Sequence, residues 1–193
     1  VDGPVKTIVL QPAASQNIIM FIYTEPTDLK YKVVYKYEGT VEAESEWLNA
    51  EAASFNVYPN EEIAKSLKDR GYSIEEQFRV AALVSNNEEN IIEFTLSLDE
   101  YTITYNGIEG ITGWVGLETT ANPNPSTYNV KSDDIAIVNP VKDGYNFLGW
   151  TTTAATDPEG GHVEAETKVV IETGSRGDLV FTATWERSVA GYE

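Results

Sequence analysis

The sequence predicts an α+β chain that is mostly β, built from modules in tandem with one short helix in the middle module. Three observations lead there. Gly144-Tyr145-Asn146-Phe147-Leu148-Gly149-Trp150 and Leu179-Val180-Phe181-Thr182-Ala183-Thr184-Trp185 alternate large rings with smaller or polar residues, the period of two that marks a strand with one buried face. Helix start and stop signals converge on a single stretch, residues 60–71. Two motifs also recur. Asn17-Ile18-Ile19-Met20-Phe21 returns 73 residues later as Asn90-Ile91-Ile92-Glu93-Phe94, and Tyr31-Lys32-Val33-Val34-Tyr35 returns 70 residues later as Tyr101-Thr102-Ile103-Thr104-Tyr105. Recurrence at this spacing signals repeated structural units.

Taken in order, Val5 to Leu10 and Ile18 to Tyr23 are β-branched and aromatic runs flanking a segment with Pro12 and Ser15, which reads as a hairpin. The 73-residue offset lays Val5 over Phe78 and Leu10 over Leu83, so this hairpin is expected to close a module whose first part lies upstream. The start Val1-Asp2-Gly3-Pro4 lacks an initiator methionine, and the chain is read as a fragment of a longer one. The expected division is 1–27, the hairpin of a truncated module; 28–99, a middle module; 100–187, a C-terminal module; and 188–193, a tail. Neither boundary, Pro26 to Leu29 or Leu98 to Glu100, carries a Gly/Ser-rich linker, so adjoining modules should be closely coupled.

In the middle module, Lys30 to Tyr37 sets Tyr31, Val33, Tyr35 and Tyr37 on one face of a strand. Val41 to Ala52 is ambiguous between states, and Ser54 to Tyr58 reads as a second strand. The helix follows. Asn60 can cap free N–H groups, Glu61 and Glu62 suit the positive end, and Lys65, Lys68 and Arg70 suit the negative end. Gly71 is placed to stop it, and Ile63 and Leu67 supply a buried stripe. Strands Phe78 to Val84 and Asn90 to Leu98 complete an order of strand, strand, helix, strand, strand, that of a β-grasp (ubiquitin-like) module.

In the C-terminal module, Gly149 interrupts the strand pattern, which predicts a bulge or a close neighbour. The glycines at 107, 110, 113 and 116 lack the flanking strand and helix of a nucleotide site and are read as permitting a long irregular loop.

Tyr128-Asn129-Val130, Ile135 to Pro140, the Gly144 to Trp150 strand and the closing Gly174 to Trp185 segment together resemble the Listeria-Bacteroides repeat, the internalin B-repeat family of bacterial surface proteins. The resemblance spans roughly residues 100–187. It departs from the family pattern at Gly107 to Pro125, a long insert in place of a short turn. The middle module resembles the mucin-binding-protein type of repeat, through its YxVxY opening, Gly71-Tyr72 after the helix and the Asn-Ile-Ile-x-Phe close. These resemblances imply β-grasp modules, an extracellular position on a bacterial cell surface and no catalytic residues.

At 193 residues with 41% hydrophobic content, the chain suits one large domain or two small ones. Thirty-one acidic against thirteen basic residues give a net charge of −18, which repels nucleic acid and anionic membranes; neither is expected as a partner. Surface solubility explains the acidity as well, because screening over about 8 Å keeps the field short-ranged. No cysteine is present, which removes disulfides, thiolate metal sites and cysteine nucleophiles. No apolar run approaches a bilayer span, and residues 1–10 do not form a signal peptide.

His162 is the single histidine and follows Gly160-Gly161, a turn unsuited to holding a catalytic base. Glu42, Glu44, Glu46 and Glu51 lie close in sequence, but a glycosidase needs one pair at about 5–9 Å in a cleft, and a solvated acidic edge is the expected reading. Asp133-Asp134 and Asp99-Glu100 carry calcium-type donors without an Asp-x-Asp-x-Asp-Gly loop. No catalytic, metal or cofactor site is therefore expected. Lys36 is the only lysine placed in an apolar strand where an internal isopeptide bond could form, and none is expected.

Trp150 and Trp185 fall in strand patterns and are expected in the core. Trp47 and Trp114 fall in polar, irregular segments and are the candidate ligand contacts, for a sugar ring or a protein partner, set against the plainer role of pinning a loop to a sheet. The expectation is a non-enzymatic, monomeric module pair acting as a stalk or adhesion surface, with neighbouring modules and a host or cell-surface protein or glycan as partners. The alternatives are a carbohydrate-binding module using exposed aromatics and, more remotely, an acidic glycosidase.

Overall fold

The computed structural model describes residues 28–154 and 165–189. The hairpin expected within residues 1–27, His162 and residues 190–193 lie outside them. Among the described residues the fold is mostly β with one α-helix.

The strand ladder at Lys30 to Tyr37 forms as β1 (Lys30–Tyr37), and β2 (Thr40–Glu44) folds back on it through Glu38 and Gly39, both at positive φ (46° and 82°). Two successive left-handed residues make the turn whose twist matches an antiparallel pair. The ambiguous stretch Val41 to Ala52 thus holds β2 and β3 (Leu48–Asn49), the latter paired with the start of β1. β4 (Ser54–Val57) leads into α1 (Glu61–Asp69). Asn60 caps α1 as expected, its Oδ1 accepting from Ile63 N at 3.0 Å. Leu67 is 1% exposed, and Gly71, at φ 84°, follows the helix end.

β5 (Tyr72–Ile74), β6 (Arg79–Ala82) and β7 (Ile91–Leu98) complete this half. The sheet runs β2-β1-β7-β5, with β1 and β7 parallel, and β4 and β6 pair as a separate ribbon. The core beneath holds Val33, Tyr35, Val57, Leu67, Tyr72, Ala81, Phe94 and Leu96. On the opposite face Val34 is also buried, between register partners Glu44 and Glu93, whose ion pairs with Lys32 and Lys36 lay lysine stems along it.

Asn90, which opens the recurring Asn-Ile-Ile-x-Phe motif, is 3% exposed. Its Oδ1 accepts from Val84 N at 2.8 Å, and its Nδ2 donates to Lys30 O at 2.9 Å and Val84 O at 3.0 Å. A buried amide is retained when its hydrogen bonds are met; here it ties the end of the β6 segment to the start of β1.

The second half repeats this strand plan, with no helix among its described residues. β8 (Tyr101–Asn106) is flanked by β10 (Thr127–Tyr128) and, in parallel, by β15 (Leu179–Arg187), which pairs with β13 (Tyr145–Ala154). The order β10-β8-β15-β13 matches β2-β1-β7-β5 position for position. Its core holds Ile103, Trp114, Tyr128, Ile137, Trp150, Ile171, Phe181 and Ala183, with Trp185 partly buried against it.

The register slips between Phe147 and Gly149, the bulge that Gly149 predicts. Tyr145 corrects the expectation of a buried ring: it is 38% exposed at the strand's beginning, and the slip lets Trp150 fill the core instead. The irregular insert is pinned at β9 (Gly113–Trp114), which pairs with β12 (Pro140–Val141), and at Asn124, 8% exposed. Asn124 Oδ1 accepts from Val138 N at 2.7 Å and its Nδ2 donates to Val138 O at 3.0 Å. The remaining short pair is β11 (Ile135–Ala136) with β14 (Val170–Ile171).

Candidate functional site

Of the two candidate tryptophans, Trp47 is 41% exposed in the extended segment between β2 and β3, with Lys32 Nζ 5.9 Å from its ring centroid and Leu48 exposed beside it. An exposed indole with a cation against its face can stack on a sugar ring or a partner side chain. Trp114 corrects the expectation of an accessible contact. Its register partner is Pro140, its ring enters the second core and it is 2% exposed. The polar, glycine-rich neighbours that suggested exposure belong to a loop that Trp114 anchors in the core, with Ile108 and Ile111 packed against it.

A groove of about 490 Å³ lies on the core side of the first sheet, floored by Tyr31, Val33 and Tyr35. Glu46 and Leu48 line one side, and Asn56 of β4 and Tyr58 of the β4 to α1 connection line the other. Leu83 N donates to Ala53 O at 2.7 Å, so by ladder parity Phe55 and Val57 pair with β6 while the backbone of Ser54 and Asn56 faces the free edge. Tyr35 is buried at the floor, with its hydroxyl accepting from Asn60 N at 2.8 Å. Burial raises the Tyr35 pKa and this hydrogen bond offsets part of the rise, so the phenol stays neutral. Sequence reasoning missed this groove; the alternation at Tyr31, Val33 and Tyr35 gave its floor, but nothing in it showed that the sheet edge stands away from β4.

Of the acidic residues weighed for chemistry, Glu42, Glu44, Asp99 and Asp134 are held in ion pairs or hydrogen bonds. Glu42 faces Arg70, whose Nη2 lies 2.5 Å from its Oε2, and Lys131, at 3.8 Å; Glu44 pairs with Lys32 at 2.7 Å. Burial works to raise the Glu42 pKa, but hydrogen bonds from Tyr72 and Arg70 and the charges of Lys131 and Arg70 outweigh it and hold the carboxyl below its ordinary value. Asp99 behaves alike: burial opposes ionisation, and hydrogen bonds from Ser73 and Lys68 prevail. Asp134 accepts from the N–H of Thr173 at 2.8 Å and from its hydroxyl at 3.0 Å, and is lowered by those bonds. Among the described residues no group of three or more His, Cys, Asp or Glu side chains is arranged to hold a metal, and no helix is long and apolar enough to cross a membrane.

Comparison with protein-family models, curated proteins and solved structures finds no match for this chain.

Proposed function

We propose that the chain is a non-catalytic pair of β-grasp (ubiquitin-like) modules from an extracellular bacterial surface protein, acting as a stalk or as an adhesion surface. One observation carries this reading: two cores, each under a mixed sheet in which the first and last strands are parallel neighbours and an antiparallel strand flanks each. That order, with a helix packed against the first sheet, is what a β-grasp module would require and supports the reading. Repetition of one plan along a chain suits spacers and display surfaces better than it suits a single catalytic cleft. Small-angle scattering tests it. An elongated particle is expected, with a radius of gyration above the roughly 16 Å of a compact globule of this length; a value at that compact limit would overturn the stalk.

Trp47 favours a second reading, a carbohydrate-binding module. In that case a glycan array returns specific binding that falls at least about tenfold in Trp47→Ala, the loss expected when one stacking aromatic is removed. Trp114→Phe is not expected to act through contact, because that ring is buried. Binding unchanged by Trp47→Ala would remove this reading.

A further inference from the structure

We propose that the two modules are locked into one rigid body by a plug-and-socket joint, in which the Val130–Lys131 turn of the C-terminal module seats on Gly71 and Tyr72 of the middle one. This deepens the stalk reading and rests on it for its purpose, although the joint itself stands on separate contacts.

The plug is a braced turn. Asn129 N donates to Ser132 Oγ at 3.0 Å, Lys131 N donates to Asn129 Oδ1 at 2.9 Å, and Ser132 N donates to Asn129 O at 3.0 Å. Val130 O accepts from Gly174 N at 3.1 Å, which fixes the turn to the body of its own module. The socket opens where α1 ends. A Cβ built on Gly71 would lie 2.5 Å from Val130 Cγ1 and 3.3 Å from the Tyr101 hydroxyl, distances that leave room for hydrogen alone. Gly71 therefore serves two needs, the positive φ that ends the helix and the close approach of the next module.

Lys131 closes the seat, its Nζ 5.9 Å from the Tyr72 ring centroid and 3.8 Å from Glu42 Oε1. Arg70 holds Glu42 in place, its Nη1 donating to Glu42 O at 2.8 Å. The ion pair is half-exposed and adds little by itself; it sets the orientation, while the Val130 contact excludes water.

The connection is pinned as well. Only Asp99 and Glu100 separate β7 from β8. Asp99 N donates to Gly71 O at 2.9 Å, and Asp99 Oδ1 accepts from Ser73 Oγ at 2.6 Å and Lys68 Nζ at 2.9 Å. Two domains that share a small interface ordinarily move relative to each other. Here a two-residue connection is bonded on one side and a braced turn is seated on the other, which removes both the slack and the hinge.

The chain has no cysteine, so paired labels can be introduced cleanly. Spin labels at Lys65→Cys on α1 and Asn146→Cys on β13, both exposed, read the inter-module distance in the full chain. A single narrow distance is expected, and it should spread into a broad distribution in Val130→Asp, with each module's own unfolding transition retained. Should Val130→Asp unfold its module, Val130→Ser reads the same contact. A broad distribution in the parent chain would overturn the joint, and so would a distance that stays narrow in the Val130 and Lys131→Glu variants. An elongated scattering envelope with broad label distances would leave the stalk standing without the joint; a compact envelope with narrow distances would do the reverse.

Discussion

Trp150→Ala is expected to cost the C-terminal half about 3–5 kcal/mol, the range for truncating a fully buried large aromatic. Trp150 is 1% exposed and touches three rings edge-on, with centroids 5.5 Å from Phe147, 5.8 Å from Tyr105 and 6.1 Å from Phe181. Its Nε1 donates to Asn139 Oδ1 at 3.0 Å, and its backbone exchanges bonds of 2.9 and 3.0 Å with Glu166. Truncation opens a cavity among aromatics that cannot collapse together, and it strips a half-buried Asn139 of its donor. Denaturant unfolding followed by far-UV circular dichroism measures the loss, with Trp47→Ala, an exposed ring, as the comparison. A loss below about 1 kcal/mol, the range of an ordinary surface change, would show that the second core is not centred here.

Gly149→Ala is expected to be nearly as damaging, on the order of 3 kcal/mol, although it adds a single methyl group. Gly149 lies at φ 138°, and its built Cβ comes within 2.7 Å of Ala165 C and Glu166 N and 2.8 Å of Glu166 C. These are backbone atoms, so no side chain can swing aside, and relief requires breaking the Trp150 to Glu166 bridge. Gly39→Ala separates the two effects: Gly39 has φ 82° and nothing within 4 Å of its built Cβ, so it should cost only the conformational part, about 1–2 kcal/mol. The difference between their denaturation midpoints isolates the steric clash. Equal losses would mean that strand β13 and the Glu166 segment are not in contact as described.

Elements with local chemistry were legible in the sequence. The helix could be read from Asn60, its acidic first turn and Gly71. The bulge could be read from a lone glycine within an aromatic strand, and the first core from the Tyr31 to Tyr37 alternation, of which Val33 and Tyr35 are fully buried. The two-residue strands β3, β9, β10, β11, β12 and β14 were not legible, because two residues have no period and their pairing is decided by partners distant in the chain. Trp114 shows the same limit: its glycine-rich surroundings are those of an exposed loop, and only its register with Pro140 discloses burial. Trp47 could be read as an exposed aromatic; the groove near it depends on how β4 stands off from the sheet edge. Gly71 was legible as a helix stop, whereas its second neighbour, Val130, comes from the other side of a fold boundary.

The parallel pairing of first and last strands fixes how the chain would answer a pull on its ends. In each sheet the chain enters along one strand and leaves along the adjacent parallel one, so entry and exit lie at opposite ends of the same ladder. Lys32 to Lys36 pair with Ile91 to Thr95, and Ile103 to Asn106 with Leu179 to Thr182. Tension would slide these strands past each other and load every rung at once, whereas a hairpin drawn from one end unzips a rung at a time. Force would thus meet the sum of the rungs.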